Sequence, residues 1–153
     1  MATLHANSAN QALDRIINFF PDERREQLLM DLSLNTRAFV SQRLIPRESG
    51  GGRIAATEIM LNSPLIQDLI FKGEVARIKE VMGRSNRLGM RTFDQSLYEL
   101  YESGYISYED ALRNADSKNE LRLRIKLESK REQKNVDDGG ALKIVEEQEG
   151  RNL

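Results

Sequence analysis

The sequence contains no cysteine, which excludes a disulfide framework and any thiolate zinc site. It has no apolar run near the ~20 residues needed to cross a bilayer. The N-terminus lacks the basic region and long apolar stretch of a secretion signal, so a soluble cytoplasmic protein is expected. Charge is balanced: 23 Lys and Arg stand against 24 Asp and Glu, a formal net charge of −1. No basic surplus points to nucleic acid or an anionic membrane. Histidine occurs once, as His5, with no second histidine and no clustered carboxylates nearby in sequence, which argues against a metal site. Neither a Gly-x4-Gly-Lys-Ser/Thr phosphate loop nor a Gly-x-Ser-x-Gly elbow occurs.

What is present suits an ordinary globular chain. The 153 residues are 39% hydrophobic and 31% charged, fitting one domain or one domain with a tail. Asn7 or Ser8 offers a helix N-cap. Leu13, Ile16, Ile17 and Phe20 then fall at i, i+3, i+4 and i+7, one helix face. Pro21-Asp22 ends that helix and starts another, with Leu28, Leu29 and Leu32 on its apolar side. Ala38 to Ile45 and Arg53 to Leu61 are rich in Val, Ile, Phe and Leu and flank Pro46 and Ser49-Gly50-Gly51-Gly52, which predicts a β-hairpin. Those glycines lack the following Lys-Ser/Thr and helix of a phosphate loop.

Beyond the hairpin the pattern is helical. Ser63-Pro64 starts a helix with the stripe Leu65, Ile66, Leu69 and Ile70, and Gly73 breaks it. Val75, Ile78, Val81 and Met82 predict a further helix ending near Gly83. Thr92 with Gln95 fits a capping box, as does Ser107 with Asp110, where Asp replaces the usual Glu or Gln. Between them Phe93, Leu97, Leu100 and Tyr101 form a stripe closed by Gly104 as a C-terminal cap. Leu121, Leu123, Ile125 and Leu127 alternate with Arg122, Arg124 and Lys126, a period of two that argues for an extended segment. Asn119 and the charged run after it would equally begin a helix. Basic groups on one face of that segment would suit phosphates or an acidic partner. It has no aromatic residue for base stacking, so a solvated face is the better reading. From about Glu132 onward, charges, Asp138-Gly139-Gly140 and few large apolar groups predict a disordered tail. By pattern alone this is an α/β soluble fragment without a complete active site, and a lone histidine in it reads first as structural.

Thr3-Leu4-His5-Ala6-Asn7-Ser8-Ala9 resembles the histidine box, commonly Thr-Leu-His-Thr-Asn-Ser-Ala, of the secretion-superfamily motor ATPases. Further blocks follow in order: Asp14-Arg15-Ile16-Ile17, Phe20-Pro21, Ser41 to Pro46, Gly52 to Ala56, Glu58-Ile59-Met60, Gly89 to Leu97, and Gly104 to Leu112. Any one block is weak; the ordered set, from residue 2 to about 117, is strong. Type II secretion and pilus-extension members usually carry a four-cysteine zinc insert. This chain has no cysteine and no room for one between the histidine box and the hairpin, so it resembles the retraction branch, the PilT/PilU family of type IV pilus (twitching motility) ATPases. That branch has a signature helix, typically Ala-Ile-Arg-Asn-Leu-Ile-Arg-Glu, aligning with Leu65 to Lys72. Leu65, Ile66, Leu69 and Ile70 keep its apolar positions. Gln67, Asp68, Phe71 and Lys72 change the polar ones, and with the tail beyond Lys118 they look more like PilU than PilT.

The resemblance implies an α/β fold, the C-terminal part of a RecA-like P-loop ATPase followed by a helical subdomain. Residues 1–62 would belong to the ATPase core without its Walker A and B motifs, 63–117 to the helical subdomain, and 118–153 to a charged, partly disordered extension. It implies a homohexamer at the cytoplasmic face of the inner membrane, acting on a platform protein at the pilus base, with a paralogous retraction ATPase as a further partner and no nucleic acid. ATP and Mg2+ would serve the full-length parent, an ATPase, while these residues alone would neither bind nor hydrolyse ATP. In such motors the P-loop lysine and the Mg2+ ligands stabilise charge on the transferred phosphoryl group, and by the resemblance they would lie upstream of Met1. His5 would be a catalytic residue at the end of a core strand near the γ-phosphate. Leu65, Ile66, Gln67, Asp68, Leu69, Ile70, Phe71 and Lys72 would form a motor-coupling helix. The alternative is a non-enzymatic module that docks onto a pilus or secretion motor partner.

Overall fold

The computed structural model describes residues 1–131; the expected tail from Glu132 lies outside them. Residues 1–6 form neither helix nor strand. The strand expected ahead of His5 is therefore not formed: a strand needs a neighbour's backbone groups, and the described residues pair strands only within the hairpin. Helix α1 (Ala9–Asn18) begins at Ser8, whose hydroxyl accepts from the Gln11 amide. It buries Ala9, Ala12, Leu13 and Ile17. Phe20 falls beyond the helix end and is exposed, so it does not extend the stripe. After a single 3-10 turn, helix α2 (Arg25–Asn35) packs Leu28, Leu29 and Leu32 partly inward.

Strands β1 (Ala38–Pro46) and β2 (Arg53–Leu61) pair antiparallel from Ala38 opposite Leu61 to Pro46 opposite Arg53. Pro46, without a donor, sits at the strand end where the ladder loses least. Gly50 and Gly51 turn the chain at φ near +75° and +73°, backbone that residues with a Cβ rarely adopt. Side chains on β2 alternate, and Ala56, Glu58 and Met60 form its buried row.

Helix α3 (Pro64–Phe71) is capped by Ser63, with Pro64 in its first turn. It buries Ile66, Leu69 and Ile70, while Leu65 is 53% exposed. At 100° per residue, Leu65 and Ile70 sit at opposite margins of the stripe, and only the Ile70 margin is covered. Helix α4 (Ile78–Arg84) follows a 3-10 turn and buries Ile78 and Met82. Helix α5 (Phe93–Glu102) opens with the expected reciprocal capping box of Thr92 and Gln95. It ends with Gly104 at φ +75° and a Tyr105 amide bond back to the Leu100 carbonyl, a Schellman closure.

Helix α6 (Tyr108–Asn114) has half of its expected box. Ser107 accepts from the Asp110 amide, but the shorter Asp side chain takes the Ser107 hydroxyl rather than its backbone N–H. Residues 118–128 are a helix, α7 (Lys118–Glu128), which decides between the two readings of the alternating segment. Leu121 and Ile125, one turn apart, are buried, while Leu123 and Leu127 are exposed. The alternation is thus of charge with apolar character, not of inward with outward faces.

Two hydrophobic clusters share the hairpin. One joins α1, α3 and α4 around Met60; the other joins α5, α6 and α7 around Ile45 and Ala56.

Candidate functional site

His5 is exposed and, among the described residues, makes no hydrogen bond or ion pair. The chain just behind it is held firmly. The Asn7 amide donates to Gln11 Oε1 at 2.6 Å, and the Asn10 side chain donates to the Val75 carbonyl at 3.0 Å. The Ala9 amide, one of the free donors of the α1 N-terminus, donates to Glu58 Oε1 at 2.7 Å. A carboxylate is suited to that place by both hydrogen bonding and the helix dipole.

Arg43, on β1, gathers more partners than any pattern in the sequence announces. Its guanidinium lies 3.9 Å from the centroid of the Phe93 ring. Nη1 donates to the Asn114 carbonyl at 2.7 Å, and Nη2 donates to the Asn7 carbonyl at 3.2 Å and pairs with Asp116 Oδ1 at 2.7 Å. Lys79 of α4 pairs with the other oxygen of Asp116 at 2.8 Å. The Arg43 and Asp116 side chains are only 23% and 19% exposed, so this pair is screened less than a surface one. Burial alone would raise the Asp116 carboxyl, but the hydrogen bonds and charges of Lys79 and Arg43 outweigh it and hold it below the usual carboxylate range. For Glu58 burial dominates and pushes the carboxyl up, aided by the Asp116 charge and opposed by the Ala9 amide, Lys79 and Arg43.

No sequence pattern announces this cluster, because its members lie up to 109 residues apart (Asn7 to Asp116). One signal was available. Glu58 falls in the β2 row of Ala56 and Met60, and a carboxylate on a buried row requires partners.

The helix carrying Leu65 to Lys72 has two unlike faces. Ile66, Leu69 and Ile70 are buried, whereas Asp68 and Lys72 are exposed and paired at 2.7 Å. Phe71 is 52% exposed, as expected from its place off the stripe. It borders a groove of about 310 Å³ between α2 and α3, with Met30, Leu34, Gln67 and Asp68 on its walls. Met30 and Leu34 are also exposed, so the groove has an apolar rim. A larger cavity of about 500 Å³ adjoins α4, α5 and α7. Its cations Lys79, Arg84 and Arg124 are paired with Asp116, Glu80 and Glu128. Among the described residues, no group of three His, Cys, Asp or Glu is placed to hold a metal ion, and no helix is long and apolar enough to cross a membrane.

The fold is similar to that of the pilus retraction motor PilT solved with bound ADP. The TM-score is 0.70 at 34% identity, over 79% of this chain and 33% of that one. The α/β arrangement is that of the C-terminal part of a motor ATPase fold. No family model matches the chain. In sequence it is 60% identical over 129 residues to the type IV pilus ATPase PilU of Pseudomonas aeruginosa, covering 84% of this chain and 34% of that protein. It is 39% identical over 113 residues to the retraction ATPase PilT of the same organism, covering 74% and 33%. The chain belongs to the PilT/PilU family of type IV pilus ATPases. It spans about a third of the length of the curated relatives it matches.

Proposed function

We propose that these residues are the C-terminal part of a hexameric ATPase that powers type IV pilus retraction and twitching motility, on the PilU side of the family. The observation that carries this reading is the 60% identity to PilU across 129 residues, against 39% to PilT. In this reading residues 1–62 belong to the ATPase core, 63–117 to the helical subdomain and 118–153 to an extension. The motor works at the cytoplasmic face of the inner membrane on the platform protein of the pilus base, beside a paralogous retraction ATPase.

The residues present do not by themselves fit ATP. The hairpin glycines lead into a strand, β2, rather than into the helix N-terminus a phosphate cradle requires. ATP and Mg2+ belong to other residues of the motor. His5 is the one side chain of this chain assigned to the nucleotide. Without a partner among the described residues, the imidazole is available to polarise or sense a phosphate. In the full-length motor, His5→Ala lowers ATP turnover about 100-fold with the melting temperature and hexamer retained. Unchanged turnover with lost thermal stability would make His5 a structural residue instead.

The coupling role rests on the outer face of α3. Phe71, Met30 and Leu34 give the α2–α3 groove an apolar rim, suited to contact a moving partner. Phe71→Ala in the full-length motor abolishes retraction while hydrolysis is retained. Equal loss of both, with a lower melting temperature, would give Phe71 a part in stability instead of coupling. The exposed groove also favours a second reading, a docking module whose hydrolysis belongs to another chain. A wild-type melting temperature and retraction in Phe71→Ala would count against both.

A further inference from the structure

We propose that Arg43 is a positioning residue that ties the segment carrying His5 to the α6–α7 connection, and through Asp116 to α4. The inference rests on the reading of His5 given above and goes beyond it, since it names the device that would transmit helix movement to His5. Three contacts of one guanidinium define it: the Asn7 carbonyl, two residues from His5, the Asn114 carbonyl at the end of α6, and the Asp116 carboxylate in the α6–α7 connection. A fourth, the Phe93 ring beneath it, fixes the plane of the fork. Asp116 extends the tie to Lys79. The Glu58 bond to the Ala9 amide holds the other side of the same segment to β2. His5 itself has no anchor among the described residues, so its placement depends on what holds Asn7 to Ala9.

A lysine at this position keeps the charge opposite Asp116 but is a point donor that cannot bridge two carbonyls and a carboxylate in one plane. In the 153-residue chain, Arg43→Lys should speed hydrogen exchange of the Asn7, Ala9 and Gln11 amides about tenfold, the scale of a lost hydrogen bond to a charged group. The amides of Leu97 and Ile125 should stay within about twofold of wild type. Unchanged exchange at residues 7–11, or equal acceleration in α5 and α7, overturns the proposal. Should Arg43→Lys not fold, Asp116→Asn, which removes the anion and keeps its shape, carries the same test with the same two outcomes.

In the full-length motor the second readout is a double-mutant cycle. Arg43→Lys should lower kcat about tenfold with KM for ATP unchanged, the effect of a misplaced catalytic group. It should lower it no further in a His5→Ala background, because the two act through one imidazole. An additive loss in the double variant overturns the transmission. Should His5→Ala alone leave turnover unchanged, the catalytic reading of His5 fails, while the exchange experiment still decides whether Arg43 holds the segment.

Discussion

The two clusters on either side of the hairpin are finished differently. Around α5, α6 and α7 the margin is closed by cations laid on rings and carbonyls. Arg131 donates to the Tyr101 and Ile106 carbonyls, pairs with Glu48 and stands over the Tyr101 ring. Arg124 covers Tyr98, and Arg43 covers Phe93. Around α1, α2 and α3 the margin is left apolar: Phe19, Phe20, Met30, Leu34, Leu65 and Phe71 are all exposed. Guanidinium groups that lie flat on rings shield apolar surface while keeping their own hydrogen bonds. The half around α5 to α7 therefore covers three of its rings with guanidinium groups, although Leu123 and Leu127 stay exposed. The other half leaves its aromatic residues Phe19, Phe20 and Phe71 uncovered, a surface suited to a partner. A coupling surface in the second half and a positioning device at the border of the first follow from the same contrast.

The contrast breaks first at the sealed core. Phe93 is fully buried between Arg43 and the second cluster. Phe93→Ala should destabilise the 153-residue chain by about 3–5 kcal/mol in urea unfolding, from lost transfer energy and the cavity left behind. The transition should remain single, since β2 supplies Met60 to one cluster and Ala56 to the other. Two separate transitions would mean that the clusters are independent and that the hairpin does not join them.

A smaller effect probes the open half. The Ser63 hydroxyl accepts from the Ile66 amide and starts α3. Ser63→Ala should lower stability by about 1 kcal/mol, the usual loss of an N-cap. In the full-length motor it should impair retraction more than hydrolysis, because α3 bears Phe71. A loss of hydrolysis equal to the loss of retraction would show that α3 belongs to the catalytic half of the cycle.

Much of this architecture is legible in the sequence, and the gaps have physical causes. The hairpin, the Ser8, Ser63 and Thr92 caps and the Gly104 closure are readable because each rests on residues within a few positions of one another. The stripe of α3 was readable except for Leu65, whose exposure depends on how far the neighbouring helices reach. The α7 segment was ambiguous because Leu121, Leu123, Ile125 and Leu127 satisfy a period of two and also contain an i, i+4 pair. Only the docking of Leu121 and Ile125 against the second cluster decides between them. The Arg43 cluster was illegible because tertiary folding alone brings residues 7, 43, 58, 79 and 116 together. The placement of His5 came from resemblance, not periodicity, and the fold adds what lies behind it.

The smallest expected effect concerns the buried carboxylate where the two halves meet. Burial pushes the Glu58 carboxyl up, so the folded chain binds that proton more tightly than the unfolded chain does. Its contribution to stability is fully present below the unfolded value and is lost as pH rises through the folded one. Asp116 has the opposite sign. Although burial opposes its charge, Lys79 and Arg43 hold its carboxyl low, so its contribution is present above the unfolded value and is lost as pH falls through the folded one. Glu58→Gln retains an oxygen to accept the Ala9 amide and removes only the titration. Relative to wild type, the variant's melting temperature should therefore be more favourable at pH 8 than at pH 4. The Asp116-dependent loss of stability in acid should persist in the variant. A larger gain at pH 4 than at pH 8 would mean that attraction from Arg43 and Lys79 outweighs the burial of Glu58. The carboxylate would then belong to the ionic tie of Arg43, Lys79 and Asp116.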